Sequence, residues 1–438
     1  MLLNAADKAL WRLALPMIFS NITVPLLGLV DTAVIGHLDS PVYLGGVAVG
    51  ATATSFLFML LLFLRMSTTG LTAQAWGAKD PQRLARALVQ PLALALGAGV
   101  LIILLRLPLI DLALHIVGGS EAVLKQARRF LEIRWLSAPA SLANLVLLGW
   151  LLGVQYARAP VILLVVGNLL NIVLDLWLVM GLRMNVQGAA LATVTAEYAT
   201  LIIGLLMAKR VLTLRGVSLA MLKNAWRGDL RRLLALNRDI MLRSLLLQLC
   251  FGALTVFGAR LGSDIVAVNA VLMTMLTFTA YALDGFAYAV EAHSGQAYGA
   301  RDGSQLLEVW RAACRQSGMV ALAFALIYSL AGQYIIALLT SLPSLQQLAD
   351  RYLIWQTILP VVGVWCYLLD GMFIGATRGA EMRNSMAVAA AGFAVTLLTL
   401  PVLGNHGLWL ALAVFLALRG LSLALIWRRH WRRGTWFS

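Results

Sequence analysis

Apolar runs about as long as a bilayer-spanning helix recur along this chain, and short segments rich in Arg, Lys, Asp, Pro and Gly separate them. About twelve such runs stand out. The first six lie near residues 10–35, 45–72, 88–114, 131–153, 160–181 and 188–208. The second six lie near 233–259, 266–294, 312–340, 352–376, 386–404 and 407–427. The pattern predicts an all-α polytopic membrane protein of twelve transmembrane helices.

Composition agrees with lipid as the main solvent. The 438 residues are 61% hydrophobic and only 12% charged, more apolar surface than one aqueous core can bury. The net charge of +15 would suggest nucleic acid in a soluble chain, but here the basic residues follow topology. With a cytoplasmic amino terminus, the inside segments collect Lys8, Arg12, Lys79, Arg83, Arg86, Arg158, the stretch from Lys209 to Arg238, Arg378, Arg383 and Arg428 to Arg433. The other side keeps fewer, which is the positive-inside bias with both termini cytoplasmic. No nucleic-acid partner is expected. Cys250, Cys314 and Cys366 lie in or beside apolar helices and read as packing residues, so neither a disulfide nor a metal site is implied.

The chain is internally repeated. Gln74-Ala-Trp-Gly-Ala-Lys-Asp80 returns as Gln296-Ala-Tyr-Gly-Ala-Arg-Asp302, an offset of 222 residues (74 to 296), and the same offset takes Gly36 to Gly258, Gly149 to Gly371 and Gly153 to Gly375. Two six-helix lobes related by a pseudo-twofold axis along the membrane normal follow, with a central V-shaped cavity between them. The expected boundaries are an amino-terminal lobe at 1–210, a basic cytoplasmic linker at 211–232, a carboxyl-terminal lobe at 233–427 and a basic tail at 428–438. The linker's cations suit anionic headgroups, or else a solvated connector. The Gly149/Gly153 and Gly371/Gly375 pairs read as helix-packing signals.

Carboxylates inside apolar runs are the candidate chemistry, because each costs at least ~2.5 kcal/mol at membrane depth. Asp31 ends Pro25-Leu-Leu-Gly-Leu-Val-Asp31, and Asp175 follows Asn171 by four residues, on one face of the fifth span. The repeat is a control: the offset takes Asp31 to Ala253 and Asp175 to Leu397, so the second lobe is built without them. Such a pair has the chemistry to hold a proton or a small cation such as sodium. Asp284, Glu291 and Asp370 are possible cavity residues of the second lobe. Arg65 reads as a structural residue that snorkels. Pro16 and Pro25 each remove a backbone hydrogen bond, so the first helix is expected to bend.

The Leu-Ala-Leu-Pro16 opening, Val30-Asp31-Thr32-Ala-Val-Ile-Gly36-His37, the Gln-Ala-aromatic-Gly-Ala repeats, Asn171-Ile-Val-Leu-Asp175 and Gly188-Ala-Ala-Leu-Ala-Thr193 together resemble the multidrug and toxic compound extrusion (MATE) family, nearest its DinF branch, over the whole chain. The resemblance implies export driven by inward flow of protons or sodium. It also implies an amino-lobe proton site matching Asp31, Asn171, Asp175 and Thr193, and a kink proline matching Pro16. There are three departures. Leu27 stands where several members carry tyrosine, Gln248 stands where sodium-driven members carry a glutamate, and the tenth-helix acid of those members has no counterpart because Asp370 is out of register; the last two favour protons and the amino lobe.

The expectation is a cation-coupled multidrug efflux antiporter of a bacterial cytoplasmic membrane. It would be monomeric, act on amphipathic cationic compounds by alternating access, and use no cofactor beyond the coupling ion. The branch suggests induction by DNA damage. The alternatives are a sodium-coupled exporter and a flippase for lipid-linked precursors, which would need a cationic cavity where the intramembrane charges read as mainly acidic. An intramembrane enzyme is disfavoured: no His-Glu-x-x-His, Gly-x-Ser-x-Gly or paired Gly-x-Gly-Asp signature occurs.

Overall fold

The computed structural model describes residues 3–36, 38, 40–228 and 230–438, with the side chains of 24–33 set aside. Every element among the described residues is helical. The first half comprises α1 (Ala5–Gly36), α2 (Pro41–Leu60), α3 (Phe63–Gly77), α4 (Pro81–Leu104), α5 (Arg106–Val117), α6 (Glu121–Arg134), α7 (Ala138–Gly153), α8 (Arg158–Asp175) and α9 (Asn185–Leu214). After the short α10 (Leu219–Asn224) come α11 (Leu230–Leu261), α12 (Ser263–Ala300), α13 (Gly303–Leu339), α14 (Pro343–Gly375), α15 (Gly379–Thr396), α16 (Leu400–Leu403) and α17 (Asn405–Arg433). Among the described residues 11 helical stretches are long and apolar enough to cross a membrane; α1 is a further helix of 32 residues.

The apolar runs locate the helices but not their breaks. The second run is divided at Leu61 and Leu62 between α2 and α3, and the third at Leu105 between α4 and α5. Neither break carries a Pro or Gly of its own to announce it. Most helices also run past the apolar core: α6 adds a polar turn-rich start at Glu121, ten residues before the apolar run begins, capped by Ser120 accepting from Val123 N–H at 3.4 Å. Pro16 and Pro25 fall inside α1, whose helical assignment is continuous.

The chain forms two compact units. The first is Ile22–Leu234 and the second is Ala235–Ser438 together with Met1–Asn21, so the division falls inside α1. Three side-chain bonds hold the amino-terminal stretch of α1 to the rest of the second unit. Trp11 Nε1 donates to Gln316 Oε1 at 2.9 Å, Arg315 pairs with Asp7 at 3.0 Å and Asn21 donates to the Tyr281 carbonyl at 3.1 Å. The Trp11 ring meets Phe286 edge-on, with centroids 4.9 Å apart. The second unit is otherwise filled by side chains such as Leu272, Met275, Trp409 and Phe415, and the first by Phe130, Trp135, Val146 and Trp150.

The repeat is written into backbone geometry. Lys79 and Arg301, 222 residues apart, both turn left-handed (φ 54° and 53°), as do Gln155 and Thr377 (φ 62° and 55°). Asp80 caps α4 by accepting from Arg83 N–H, and Asp302 caps α13 by accepting from Gln305 N–H, again at the repeat offset. The glycine pairs sit where helices meet backbone to backbone. A Cβ on Gly149 would lie 2.5 Å from the Arg65 carbonyl oxygen, and one on Gly371 would lie 2.7 Å from that of Ala287, its repeat equivalent. Gly153 and Gly375 approach the carbonyls of Thr69 and Glu291 in the same way.

These contacts predict that Gly149→Ala and Gly371→Ala each cost about 1–3 kcal/mol of stability, because a backbone atom must move. Gly97→Ala, where a Cβ meets nothing within 4 Å inside α4, should be neutral or stabilise by up to about 1 kcal/mol. Thermal unfolding of the purified protein in detergent measures both.

Candidate functional site

In the first unit, α8 presents Asn171 and Asp175 on one face, and both are buried, at 3% and 1% exposure. The Asn171 amide reaches the Thr193 hydroxyl of α9 at 3.5 Å, and that hydroxyl in turn donates to the Ala189 carbonyl at 3.2 Å. The Asn171 Oδ1 is an enclosed acceptor without a donor among the described residues. Asp175 is the last residue of α8; the chain continues as a π-helical stretch, Leu176–Gly181, before α9 begins. Such wide turns leave backbone carbonyls outside the regular bonding ladder, and they concentrate at functional sites. Asn171 and the half-buried Thr193 thus meet between α8 and α9, with Asp175 one turn along α8 from Asn171. Asp31 and Pro25 lie in α1, with their side chains outside the described residues.

Nearby, Asn144 of α7 donates to the Glu197 carboxylate at 3.0 Å and to its carbonyl at 3.2 Å. Glu197 is a further carboxylate in the apolar runs, and sequence reasoning passed over it. The signal was the one used for Asp31 and Asp175: an acid inside an apolar run.

In the second unit Asp370 of α14 is buried and takes hydrogen bonds from two arginines, Arg243 of α11 at 2.5 Å and Arg419 of α17. Both arginines are themselves only 5–6% exposed. Asp370, expected as a possible cavity residue, is the centre of an ion triad with Arg243 and Arg419. Arg243 and Arg419 lie within membrane-length helices, so basic residues accompany the acids there. Arg65, expected to snorkel, is also enclosed, with 3% exposure and a bond to Thr69 Oγ1 at 3.3 Å. Arg419 stands at the repeat equivalent of Glu197, so the two units carry opposite charge at corresponding positions. Asp284 is half-buried on α12, near enough to Tyr281, Cys366 and Tyr367 to interact with them electrostatically. Glu291 is buried at 2% exposure beside the Gly375 contact. No group of three His, Cys, Asp or Glu residues suited to a metal occurs among the described residues.

Membrane-length helices, a duplicated helical unit and polar clusters enclosed at membrane depth define a multi-pass membrane protein built around intramembrane charge, in the manner of transporters. The chain belongs to the MatE family, whose profile matches residues 16–177 and 240–403, one match in each half. It is 87% identical over 436 residues to the DNA damage-inducible protein F of Escherichia coli K12, covering 100% of this chain and 95% of that one. It is 23% identical to a probable multidrug resistance protein, NorM, of Acinetobacter baylyi, over 96% of this chain and 94% of that one. Two solved structures share the fold. One is a transporter from Pyrococcus furiosus described as having a binding pocket of reverse polarity, with TM-score 0.84, 22% identity and coverage of 98% and 96%. The other is a MATE protein in a bent conformation, with TM-score 0.84, 23% identity and the same coverage. The protein is a transporter of the MatE family, not an enzyme.

The triad carries a stability prediction. Asp370→Asn leaves two enclosed guanidinium groups without their carboxylate and should cost about 3–5 kcal/mol. Asp350→Asn, at an exposed carboxylate, should cost less than about 1 kcal/mol. Denaturation midpoints of the two purified variants make the comparison.

Proposed function

We propose that this transporter is a proton-coupled antiporter that exports amphipathic, cationic compounds by alternating access. Asp31, Asn171, Asp175 and Thr193 form its coupling site. The observation that carries the reading is the enclosed Asn171 Oδ1 beside Asp175 and Thr193. An acceptor buried without a donor costs roughly 1–3 kcal/mol, and a protonated carboxyl supplies the missing O–H. A proton arriving from outside the cell neutralises a carboxylate that is expensive to keep charged at this depth. Two steps then follow from one event. Neutralisation removes the electrostatic hold on a cationic substrate, and the new O–H rearranges the bonds between α8, with its π-helical end, and the neighbouring helices. Differential bonding in the two protonation states biases two packings of the same helices, which is what alternating access requires. Release of the proton to the cytoplasm restores the carboxylate for the next substrate cation.

The substrate class follows from the same chemistry: apolar walls with one or two carboxylates select molecules that combine a hydrophobic body with positive charge. The names of the relatives as multidrug resistance proteins agree with it. In this reading the protein sits in the bacterial cytoplasmic membrane with both termini inside, as the distribution of Lys and Arg favours. No cofactor takes part beyond the coupling ion.

One observation favours a second ion. Asp175, Asn171 Oδ1 and Thr193 offer a set of oxygens of the kind that binds a hard cation, so sodium competes with the proton as an alternative at the same place.

Everted membrane vesicles loaded through an imposed gradient separate these readings. A proton gradient alone should drive accumulation of a cationic dye by the wild type, and Asp31→Asn and Asp175→Asn should each abolish it while the protein still inserts. Transport that runs on a sodium gradient alone, or that survives both substitutions, contradicts the proton assignment.

A further inference from the structure

Glu197 lies near the middle of α9, a helix of membrane length whose two sides differ in character. Thr195, Tyr198, Ile202 and Leu206 recur at helical spacing and are exposed, Ile202 and Leu206 at 60% and 62%. They form the side turned to lipid. Thr193, Glu197, Thr200 and Gly204 recur on the opposite side. There a Cβ on Gly204 would meet Leu147 of α7, and one on Gly167 of α8 would meet the Thr200 hydroxyl. This side of α9 therefore faces the neighbouring helices of the first unit. Glu197 is nevertheless half-buried rather than enclosed, so what reaches it comes from the protein side of α9.

The helix opposite shows the same access. Every residue of α7 is buried or half-buried, and the half-buried ones, Ser141, Asn144, Leu145 and Leu148, make one stripe along it. On a helix with no lipid-facing residue such a stripe borders internal space, which is where ionisable groups at membrane depth are found. Asn144 of that stripe donates to the Glu197 carboxylate at 3.0 Å and so fixes its direction, with Leu145 and Leu148 along the same stripe. A directed carboxylate beside apolar side chains suits a ligand that joins a hydrophobic body to a positive group.

The repeat shows that this acid is no requirement of packing. Cys366 of α14 stands at the repeat position of Asn144 and lies against Gly420 of α17, next to Arg419, as Asn144 lies against Glu197. The second unit builds the same contact with the opposite charge. Asp175 differs from Glu197 in access: at 1% exposure it is within reach of a proton or small ion, whereas the half-buried Glu197 is open to a larger ligand. We propose that Glu197 is the carboxylate that receives the positive group of the substrate, with Asn144 as its positioning residue. Asp31 and Asp175 keep the coupling ion. This rests on the reading of the substrate as an amphipathic cation and divides that reading between two places, so that Glu197 sets affinity for the cation and the other carboxylates set coupling.

Fluorescence titration of the purified full-length protein with ethidium, an aromatic cation, tests it. Glu197→Gln keeps an acceptor for Asn144 and removes the charge, so it should weaken ethidium binding about tenfold. A role in packing alone would leave the affinity unmoved. Glu197→Asp keeps the charge on a shorter side chain and should lose about threefold, which guards against a glutamine variant that fails to fold. In everted vesicles Glu197→Gln should raise the ethidium concentration for half-maximal transport by about the same tenfold and keep the maximal rate within about twofold, whereas Asp175→Asn should lose the maximal rate. Equal ethidium affinity in wild type and Glu197→Gln, absence of binding by both included, overturns the proposal. So does a Glu197→Gln protein that binds ethidium as wild type does but has lost its maximal rate, because Glu197 then belongs with the coupling carboxylates. Transport driven by sodium alone would contradict the proton reading, while a weakened affinity in Glu197→Gln would still support the role given to this residue.

Discussion

A charged or polar group at membrane depth is tolerated only where protein surrounds it and supplies its bonds. That constraint orders both halves of this molecule. In the second unit it produces a closed arrangement: Asp370 is held by Arg243 and Arg419, each from a different helix, so α11, α14 and α17 are tied at one point. The bonds of such a triad do little for net stability against an apolar core of equal volume, but breaking one partner out of it is costly. In the first unit the same constraint gathers Asn171, Asp175 and Thr193 on two adjacent helices, where the groups are carboxylate, amide and hydroxyl rather than opposed charges. Duplication thus supplied two similar frames, and the charges placed in them differ in what they can do.

The frames themselves rest on close backbone contact. Gly149 and Gly153 let α7 lie against the carbonyls of α3, and Gly371 and Gly375 repeat the contact between α14 and α12. In lipid there is little hydrophobic drive between helices, so such contact and the buried polar bonds carry the packing. The Asn269, Asn405 and Trp409 bonds of the second unit, at 2.8–3.0 Å, add to it.

Much of this was legible in the sequence, because lipid forces every span to satisfy its backbone internally and so to declare itself as a long apolar run. The offset between Gln74 and Gln296 announced the duplication, and the glycine pairs announced the close contacts. Helix breaks at Leu61 and Leu105 were not legible, since apolar sequence reads the same on both sides of them. The π-helical end after Asp175 leaves no mark in composition either. The ion triad was legible in principle. Arg419 sits inside an apolar run just as Asp31 does, but attention to acids as proton carriers passed over the base that neutralises Asp370. The grouping of Met1–Asn21 with the second half depends on bonds such as Trp11 to Gln316, more than 300 residues apart, which no local pattern encodes.

The central claim is that substrate cation and proton compete for the carboxylates of the first unit. Proton release on substrate binding, followed with a pH indicator in weakly buffered detergent solution, tests it most directly. The account predicts that a cationic dye displaces protons from the wild-type protein near neutral pH, and that Asp31→Asn/Asp175→Asn abolishes the release. Tight dye binding by the wild type with no proton release, or release undiminished in the double variant, would contradict it.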